Sequence, residues 1–378
     1  MSSRIKGKYG LAGFWIIVTV VSLLIAALVF FAFSRLHVKA PIKIGVIVSL
    51  SGSGGNLAGL RDGLLLAVRE VNTKGGINGR KIELLIEDSK SDPMEAVKTF
   101  RRIEARHHPA LMISTLSSVS TALAPLAEEK EAPLMALVAS AKNIAENRKW
   151  VFRYFTNTEH EVKPIISILK RLKVTSLGVM YQDDEYGRSA FEVMKAKFTA
   201  LPGFVQGEPF KYGDASLRQK VLRLKNNQAI YVVGFAREMP AVVKTLREEK
   251  YKGHILAASG YTSESERKSP EADGIYVAAA IVFKENYPLA NEIKSKIKSL
   301  GSNRPFDHFF ALGHDFIYLL TGLLEGKEVS RENIRKTLDE GFVYPSIFGN
   351  INVQPGDHDF DYPMYPARIV NGNLEFER

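Results

Sequence analysis

The 378-residue sequence contains no cysteine. This absence excludes disulfide bonds, thiolate metal ligands, cysteine nucleophiles and a lipid-modified N-terminal cysteine, and it is compatible with an oxidising compartment. The sequence also has no low-complexity segment, and 46% of its residues are apolar. The composition therefore predicts a folded chain, long enough for two globular lobes and an anchor.

The patterns of nucleotide, metal and catalytic sites are missing as well. The turn at residues 52–59 has no glycine three positions after Gly54 and no Gly-Lys-Ser/Thr, so no nucleotide cofactor is expected. The turn is either structural or in contact with a solute. No two histidines have helical ligand spacing, and residues 357–361 lack the glycine and terminal glutamate of a calcium loop. Ser117 and Ser118 lack a glycine elbow, so neither is expected to be a catalytic nucleophile. Together these missing patterns predict a protein without a metal, a cofactor or an enzymatic activity.

The net charge of +10 does not indicate a nucleic-acid partner. Residues 1–40 carry five basic residues and no acid, and the remaining basic residues share their helices with glutamates, as at residues 244–250. These are solvated helix faces, and no basic stripe is interleaved with aromatic residues.

One long apolar run stands near the N-terminus. Residues 11–33 carry no charge, and as a helix they would span about 34 Å, enough for a bilayer core of about 30 Å. The basic residues before the run place a short cytoplasmic tip ahead of it. We expect residues 1–40 to form that tip, a signal anchor and a linker. A cleaved signal peptide is the alternative, and both interpretations export the remaining domain.

The first half of the chain alternates strands and helices. Residues 42–48 predict a buried strand, and a helix over 57–74 ends at Gly75–Gly76. Further strands are predicted at 81–87, 110–114 and 134–138, and Asp92 with Pro93 predicts a helix start. These strands are followed by small or hydroxyl residues, which favours a ligand at the carboxyl edge of a parallel sheet.

A second series begins after residues 152–157. Its predicted strands lie at 177–181, 204–210, 229–234, 254–258 and 274–283. Helices are expected near 290–300, 309–324 and 331–339, and the segment from Ser346 predicts short antiparallel strands. The two series indicate a two-lobed, hinged α/β protein.

Several segments together resemble one known family. They are Ile42 to Gly52, Val71 to Arg80, Thr115 to Ser118, Tyr181 to Gly187 and Leu312 to Asp315. The sequence is similar to type I periplasmic solute-binding proteins, especially the branched-chain amino-acid (Leu/Ile/Val) class. The resemblance implies two Rossmann-like lobes joined by a three-strand hinge, with lobe 1 at 41–156 and 284–344 and lobe 2 at 157–283 and 345–378.

The resemblance also implies a function. It suggests a monomeric, membrane-tethered protein on the periplasmic side of the cell membrane that binds an amino acid, an amide or a small carboxylate between its lobes. Its partner would be the permease of an ABC importer. A ligand-sensing ectodomain that signals to a separate membrane partner is the alternative.

The family's ligand positions in lobe 1 fall on residues that would contact the ligand through hydroxyl groups or backbone groups. The resemblance implies that Ser118 and Ala139 hold the ligand's carboxylate and amino group, with Ser117 and Ser140 beside them. Ser51, in the opening turn, is a further candidate.

In lobe 2, the resemblance assigns Tyr186 and Phe235 to the apolar part of the ligand. Ser259 departs from the family, because the amino-acid binders have a glutamate there that pairs with the ligand's ammonium group. A buried ammonium without a carboxylate costs several kcal/mol. Unless Glu238 or Asp183 replaces that glutamate, a standard amino acid is not the expected ligand.

Overall fold

The computed structural model describes residues 14–26, 39–52, 57–199, 203–235, 238–284, 286–299 and 308–377. Residues 14–26 form helix α1, with exposed side chains. Among the described residues no helix has both the length and the hydropathy needed to cross a membrane. Residues 11–13 and 27–33 of the predicted anchor, and residues 53–56 of the glycine-rich turn, lie outside the described residues.

Lobe 1 is built on a parallel five-stranded sheet. Its strands are β1 (Ile42–Val48), β2 (Ile82–Asp88), β3 (Leu111–Thr115), β4 (Leu134–Leu137) and β5 (Val151–Tyr154), and helices α2 (Ala58–Thr73), α3 (Pro93–His107) and α4 (Ser117–Glu129) connect them. The strand order is β2-β1-β3-β4-β5. Because helices cover both faces of such a sheet, its strands are nearly continuous apolar runs. Asp92 caps α3 as predicted, since its carboxylate accepts hydrogen bonds from the amides of Met94 and Glu95.

Lobe 2 is built on a seven-stranded sheet. Its strands are β6 (Ser176–Gln182), β7 (Phe204–Phe210), β8 (Ala229–Val233), β9 (His254–Ala257), β10 (Tyr276–Ala280), β13 (Met364–Val370) and β14 (Asn373–Phe376), in the order β14-β13-β10-β9-β8-β6-β7. The five strands from β10 to β7 are parallel, and β13 and β14 pair antiparallel at one edge.

The helices of the second half complete both lobes. They are α5 (Thr158–Arg171), α6 (Glu185–Thr199), α7 (Leu217–Leu224), α8 (Met239–Glu248), α9 (Glu264–Arg267), α10 (Pro288–Ser299), α11 (His308–Leu324) and α12 (Arg331–Asp339). The hairpin of β11 (Phe342–Ser346) and β12 (Gly349–Val353) stands apart from both large sheets.

Helix α5 was missed in the sequence. Its interior contains Pro164, which removes a backbone hydrogen bond and normally breaks a helix. Two features stabilise the helix in spite of this proline. The Asn157 side chain caps its start by accepting hydrogen bonds from the amides of Glu159 and His160, and an apolar face that includes Val162 and Ile165 is buried. The segment folds as the first helix of lobe 2.

The chain passes between the lobes three times, from β5 to α5, from β10 to α10 and from β12 to β13. The predicted boundaries place residues 345–362 in lobe 2, but their apolar side chains, including those of Phe348 and Tyr362, are buried in the lobe 1 core. The chain enters the lobe 2 core again at β13, with Ala367 and Ile369. The third crossover is thus a short segment directly before β13.

Helices α2 and α11 approach each other through two glycines. A Cβ atom on Gly63 would lie 2.1 Å from the carbonyl oxygen of Phe310, and one on Gly313 would lie 2.4 Å from that of Leu60. Both distances are far shorter than a van der Waals contact, so neither position can accept a side chain without separating the helices.

We expect Gly313→Ala to lower the free energy of unfolding by about 1–3 kcal/mol, because the added methyl group overpacks this contact. Gly322, on the same helix, is the control, since a Cβ there would meet nothing within 4 Å. Gly322→Ala should raise stability by about 0.5–1 kcal/mol through helix propensity. Urea denaturation of both variants checks the pair, and equal stabilities would contradict the close contact.

Candidate ligand-binding site

A small cavity lies between the carboxyl ends of the two sheets. Its walls are Ser117, Val138, Ser140, Phe155, His308 and Phe309 on the lobe 1 side, and Tyr186, Gly234, Phe235, Ser259 and Gly260 on the lobe 2 side. Its volume is about 30 Å³. That is room for one or two water molecules, whereas pockets that hold small ligands commonly measure about 300–1,000 Å³.

The lobes are closed over this cavity. The amide of Lys142, after β4, donates a hydrogen bond of 3.0 Å to the hydroxyl of Ser189 on α6. The Lys142 ammonium also lies 2.9 Å from the Glu159 carboxylate of α5. These two contacts of Lys142 cross the cleft and hold the lobes together, so a solute enters when the lobes separate.

Two strained turns form the lobe 1 wall. Leu116 follows β3 with φ of 68°, and Val138 follows β4 with φ of 51°, although a β-branched residue rarely adopts this region. The amide of Leu116 donates to the carbonyl of Val138 at 3.1 Å, which couples the turns. Strain of this kind is found where a backbone is held in place for a ligand.

This wall offers hydrogen-bond donors. Helix α4 begins at Ser117 with no side-chain cap, and the first amides of a helix have no partner within it and carry partial positive charge. The Ser117 hydroxyl accepts a hydrogen bond of 3.0 Å from the amide of Ala141, so its own proton is available to another acceptor. A carboxylate or carbonyl group suits this end of the cavity.

A buried arginine fixes the second of these turns. The Arg153 side chain is fully buried and donates a hydrogen bond of 2.5 Å to the carbonyl of Ala141. It also pairs with Asp359, just before the third crossover. Burial raises the pKa of Asp359 above its ordinary value, although the Arg153 charge opposes that shift. The position of residues 139–141 therefore depends on this ion pair.

Aromatic rings surround the remaining space. The rings of Phe155 and His308 stack with centroids 5.9 Å apart, and those of Tyr186 and Phe235 lie 5.7 Å apart. Burial lowers the pKa of His308 to about 4, so this ring is neutral at pH 7. These walls suit the apolar part of a compact solute.

The polar part of the lobe 2 wall is connected to a buried carboxylate. Glu161, in the first turn of α5, is completely buried. It accepts hydrogen bonds from the Tyr186 hydroxyl at 2.7 Å, from the Ser259 amide at 2.8 Å and from the Ser259 hydroxyl. Burial, and then the Glu161 charge, raise the pKa of Tyr186 well above its ordinary value. Tyr186 is therefore a protonated donor to Glu161.

The comparison with known families decides what kind of protein carries this cleft. Residues 41–373 match the model of the family described as "Periplasmic binding protein". The chain belongs to the periplasmic binding protein family. Membership confirms the resemblance found in the sequence and the expectation of a binding protein that is not an enzyme.

Relatives and solved structures of periplasmic binding proteins agree with this result. The Leu/Ile/Val-binding protein of Escherichia coli K12 is 24% identical over 289 residues, which cover 72% of this chain and 77% of the relative. The leucine-, isoleucine-, valine-, threonine- and alanine-binding protein of Pseudomonas aeruginosa is 24% identical over 91% of this chain and 95% of its own. The crystal structure of leucine-binding protein LivK from Thermotoga maritima superimposes with a TM-score of 0.79 at 22% identity, covering 89% and 98% of the two chains. The fold is therefore the predicted pair of α/β lobes.

Five of the eight predicted site residues line the cavity of this periplasmic binding protein: Ser117, Ser140, Tyr186, Phe235 and Ser259. The chain brings them together from the turns after β3, β4, β8 and β9 and from the start of α6. Their role in binding stays a prediction.

The other three predicted residues do not line the cavity. Ala139 is buried and Ser118 is half-buried, each next to a lining residue in the chain. Ser51 is exposed, and its hydroxyl donates a hydrogen bond of 2.6 Å to Asp88. Of the two acids suggested as substitutes at residue 259, Glu238 is buried and Asp183 pairs with Arg188, but neither lines the cavity.

Sequence reasoning missed Glu161 and three of the lining rings, those of Phe155, His308 and Phe309. The spacing of apolar residues does point to Glu161. This residue lies four positions before Ile165 and seven before Ile168, which places it on the apolar face of α5. A carboxylate at such a position must be hydrogen-bonded inside the protein. The rings lie on a crossover and at the start of α11, where sequence spacing gives no indication of their proximity.

A larger groove of about 760 Å³ lies beside the crossovers, but it offers less to a ligand. Its walls carry charges of both signs that already form ion pairs, such as Lys142 with Glu159 and Arg335 with Asp339. Within the part of the chain that the structure describes, no cluster of acids and histidines could hold a metal ion. The cavity between the lobes is therefore the candidate site.

His308 predicts a pH dependence of stability. Its pKa falls from about 6.5 in the unfolded chain to about 4 in the fold, so the unfolded state binds more protons between these values. The associated stability is complete above pH 6.5 and is lost as the pH falls toward 4. From pH 7 to pH 5 this loss is about 2 kcal/mol.

His308→Phe keeps an aromatic ring but cannot be protonated, so its free energy of unfolding should fall by about 2 kcal/mol less than that of the wild type over this range. His107→Gln, at an exposed position, is the control and should behave like the wild type. Denaturant titrations at pH 7 and pH 5 make the comparison. Equal losses in His308→Phe and the wild type would show that His308 is not the responsible group.

Proposed function

We propose that this protein is the extracytoplasmic solute-binding component of an ABC importer. The observation that carries the proposal is the cavity itself, where donor groups on one α/β lobe face aromatic and hydroxyl groups on the other. The solute would bind between the lobes, and the protein, acting as a monomer, would deliver it to the permease. Membership of the periplasmic binding protein family and the names of the relatives support this function.

Binding begins on lobe 1 in this mechanism. The strained turns hold Ser117, Ser140 and the first amides of α4 in place before the solute arrives, so little ordering cost remains. Lobe 2 then brings Tyr186 and Phe235 over the apolar part of the solute. The three crossovers bend while each lobe moves as a unit, and closure excludes water.

The solute is a compact molecule with a carboxylate or carbonyl group and an apolar part. The donors at the start of α4 match the first feature, and the rings of Phe155, Tyr186 and Phe235 match the second. This class includes amino acids, amides and small carboxylates. It includes the ligands named for the Escherichia coli and Pseudomonas aeruginosa relatives.

A membrane tether completes the proposal. Residues 11–33 form an uncharged run of 23 residues, and the described part of it, residues 14–26, is helical with exposed apolar side chains. A single-pass anchor would hold the binding domain on the periplasmic side and raise its effective concentration at the permease.

A ligand panel tests solute binding. The full chain, purified in detergent, is heated with each standard amino acid and with aliphatic and aromatic carboxylates and amides. A true ligand at 100 times its dissociation constant adds about 2.7 kcal/mol of stability. If no member of the panel stabilises the protein, the proposed function is wrong for this class of solute.

With the ligand that stabilises most, we expect Ser117→Ala to weaken binding about tenfold, because the hydroxyl that donates into the cavity is lost. Ser118→Ala is the control, since Ser118 does not line the cavity, and it should stay within about twofold of the wild type. Isothermal titration calorimetry measures both. An equal effect of the two substitutions would place the ligand elsewhere on α4.

Cell fractionation tests the tether. The full chain should remain in the membrane fraction after a high-salt wash. Replacing Val21 and Leu24 with arginine should release it, because each charge near the centre of a span costs about 2.5–3.5 kcal/mol. Ser2→Arg and Ser3→Arg, before the run, serve as controls. A soluble protein whose N-terminus follows Ala40, the end of the weak cleavage site Val38-Lys39-Ala40, would instead establish a cleaved signal peptide.

A further inference from the structure

Glu161 is a buried acid without a cationic partner among the described residues. No lysine, arginine or histidine of that part of the chain forms an ion pair with it, although its side chain is completely buried. Its neighbours are tyrosines, and its charge contributes to raising the pKa of Tyr186, Tyr231 and Tyr362, after burial. A buried negative charge is costly without a counter-charge, so this position calls for an explanation.

The hydrogen bonds of Glu161 fix the direction of two protons. Tyr186 has one hydroxyl proton, and it points to Glu161 Oε2 at 2.7 Å. The Ser259 hydroxyl proton points to Oε1, which also accepts the Ser259 amide at 2.8 Å. Both hydroxyl oxygens belong to residues that line the cavity. With their protons engaged, they can offer a ligand only lone pairs.

The two walls of the cavity are therefore complementary in hydrogen bonding. On lobe 1, the Ser117 proton and the first amides of α4 are donors. On lobe 2, Tyr186 and Ser259 are acceptors with a carboxylate directly behind them. A carboxylate at the lobe 2 wall would meet lone pairs and a negative charge, whereas an ammonium would find acceptors and a counter-charge.

We infer that Glu161 is a positioning residue that makes the lobe 2 wall selective for an amino group on the ligand. It acts through Tyr186 and Ser259, whose hydroxyl oxygens accept hydrogen bonds from the ligand's ammonium. The ligand class is thus a small zwitterion, with its carboxylate at α4 and its ammonium between Tyr186 and Ser259. This inference rests on the proposed function, and it answers the question that Ser259 raises, because the missing acid is supplied by α5.

Matched ligand pairs that differ only in the amino group provide the test. The probes are leucine with 4-methylpentanoate and phenylalanine with 3-phenylpropanoate, measured by calorimetry with the full-length wild type. We expect at least one amino acid to bind ten times more tightly than its partner without the amino group. Glu161→Gln keeps the side-chain shape and one acceptor oxygen but removes the charge. It should weaken that amino acid at least tenfold and change the affinity for the partner less than threefold.

Two further variants separate recognition from folding. Glu192→Gln, which removes an exposed carboxylate from α6, should leave both affinities within twofold. Ser259→Ala keeps the amide that donates to Glu161, so the buried acid remains hydrogen-bonded. This variant should weaken the amino acid several-fold and spare its partner. If Glu161 and Ser259 had only a structural role, their substitution would weaken the amino acid and its partner without the amino group equally.

The outcomes also separate this inference from the proposed function. If a compound without an amino group binds as tightly as its amino acid, or Glu161→Gln weakens both equally, the inference fails and solute binding stands. If neither pair binds but a carboxylate or amide of the larger panel does, the inference fails in the same way. If no compound of either set binds, both the inference and the proposed solute class are overturned.

Discussion

The buried ion pair between Arg153 and Asp359 is the interaction on which the cleft depends. A guanidinium with no exposed surface needs a counter-charge and hydrogen-bond acceptors that the protein itself supplies. Arg153 meets this demand by joining the carbonyl of Ala141, in the turn that faces the cavity, to an acid beside the third crossover. The geometry of the binding turn and the path of a hinge segment are therefore set by the same side chain.

The architecture could be predicted from the sequence because its signals are local. Apolar runs such as residues 42–48, caps such as Asp92 and glycine breaks such as Gly75–Gly76 each act over a few residues. They predicted most strands and most helices within a few positions. Strand β5 and helix α5 were missed. In α5, the local rule that proline breaks a helix is overridden by the buried face formed by residues such as Val162 and Ile165.

The candidate site could be predicted only in part, for a related reason. Residues at the ends of strands converge by topology, so Ser117 and Ser140 were indicated without knowing any distance, and the family resemblance added Ser259. Glu161 reaches the same place from a helix, by side-chain hydrogen bonds to partners 25 and 98 residues away. Nothing in the spacing of those residues reveals the contact. The path of the hinge was likewise set by long-range packing, since Phe348 and Tyr362 belong to the lobe 1 core.

The small volume of the closed cavity has a consequence for affinity. Because aromatic rings fill the space and Lys142 bonds to Ser189 across the cleft, the closed arrangement competes with the solute for the same cavity. Only the fraction of molecules with separated lobes can capture a solute, and the apparent dissociation constant rises as that fraction falls. Residues that never touch the solute, such as Ser189, therefore help to determine the concentration at which the protein becomes loaded.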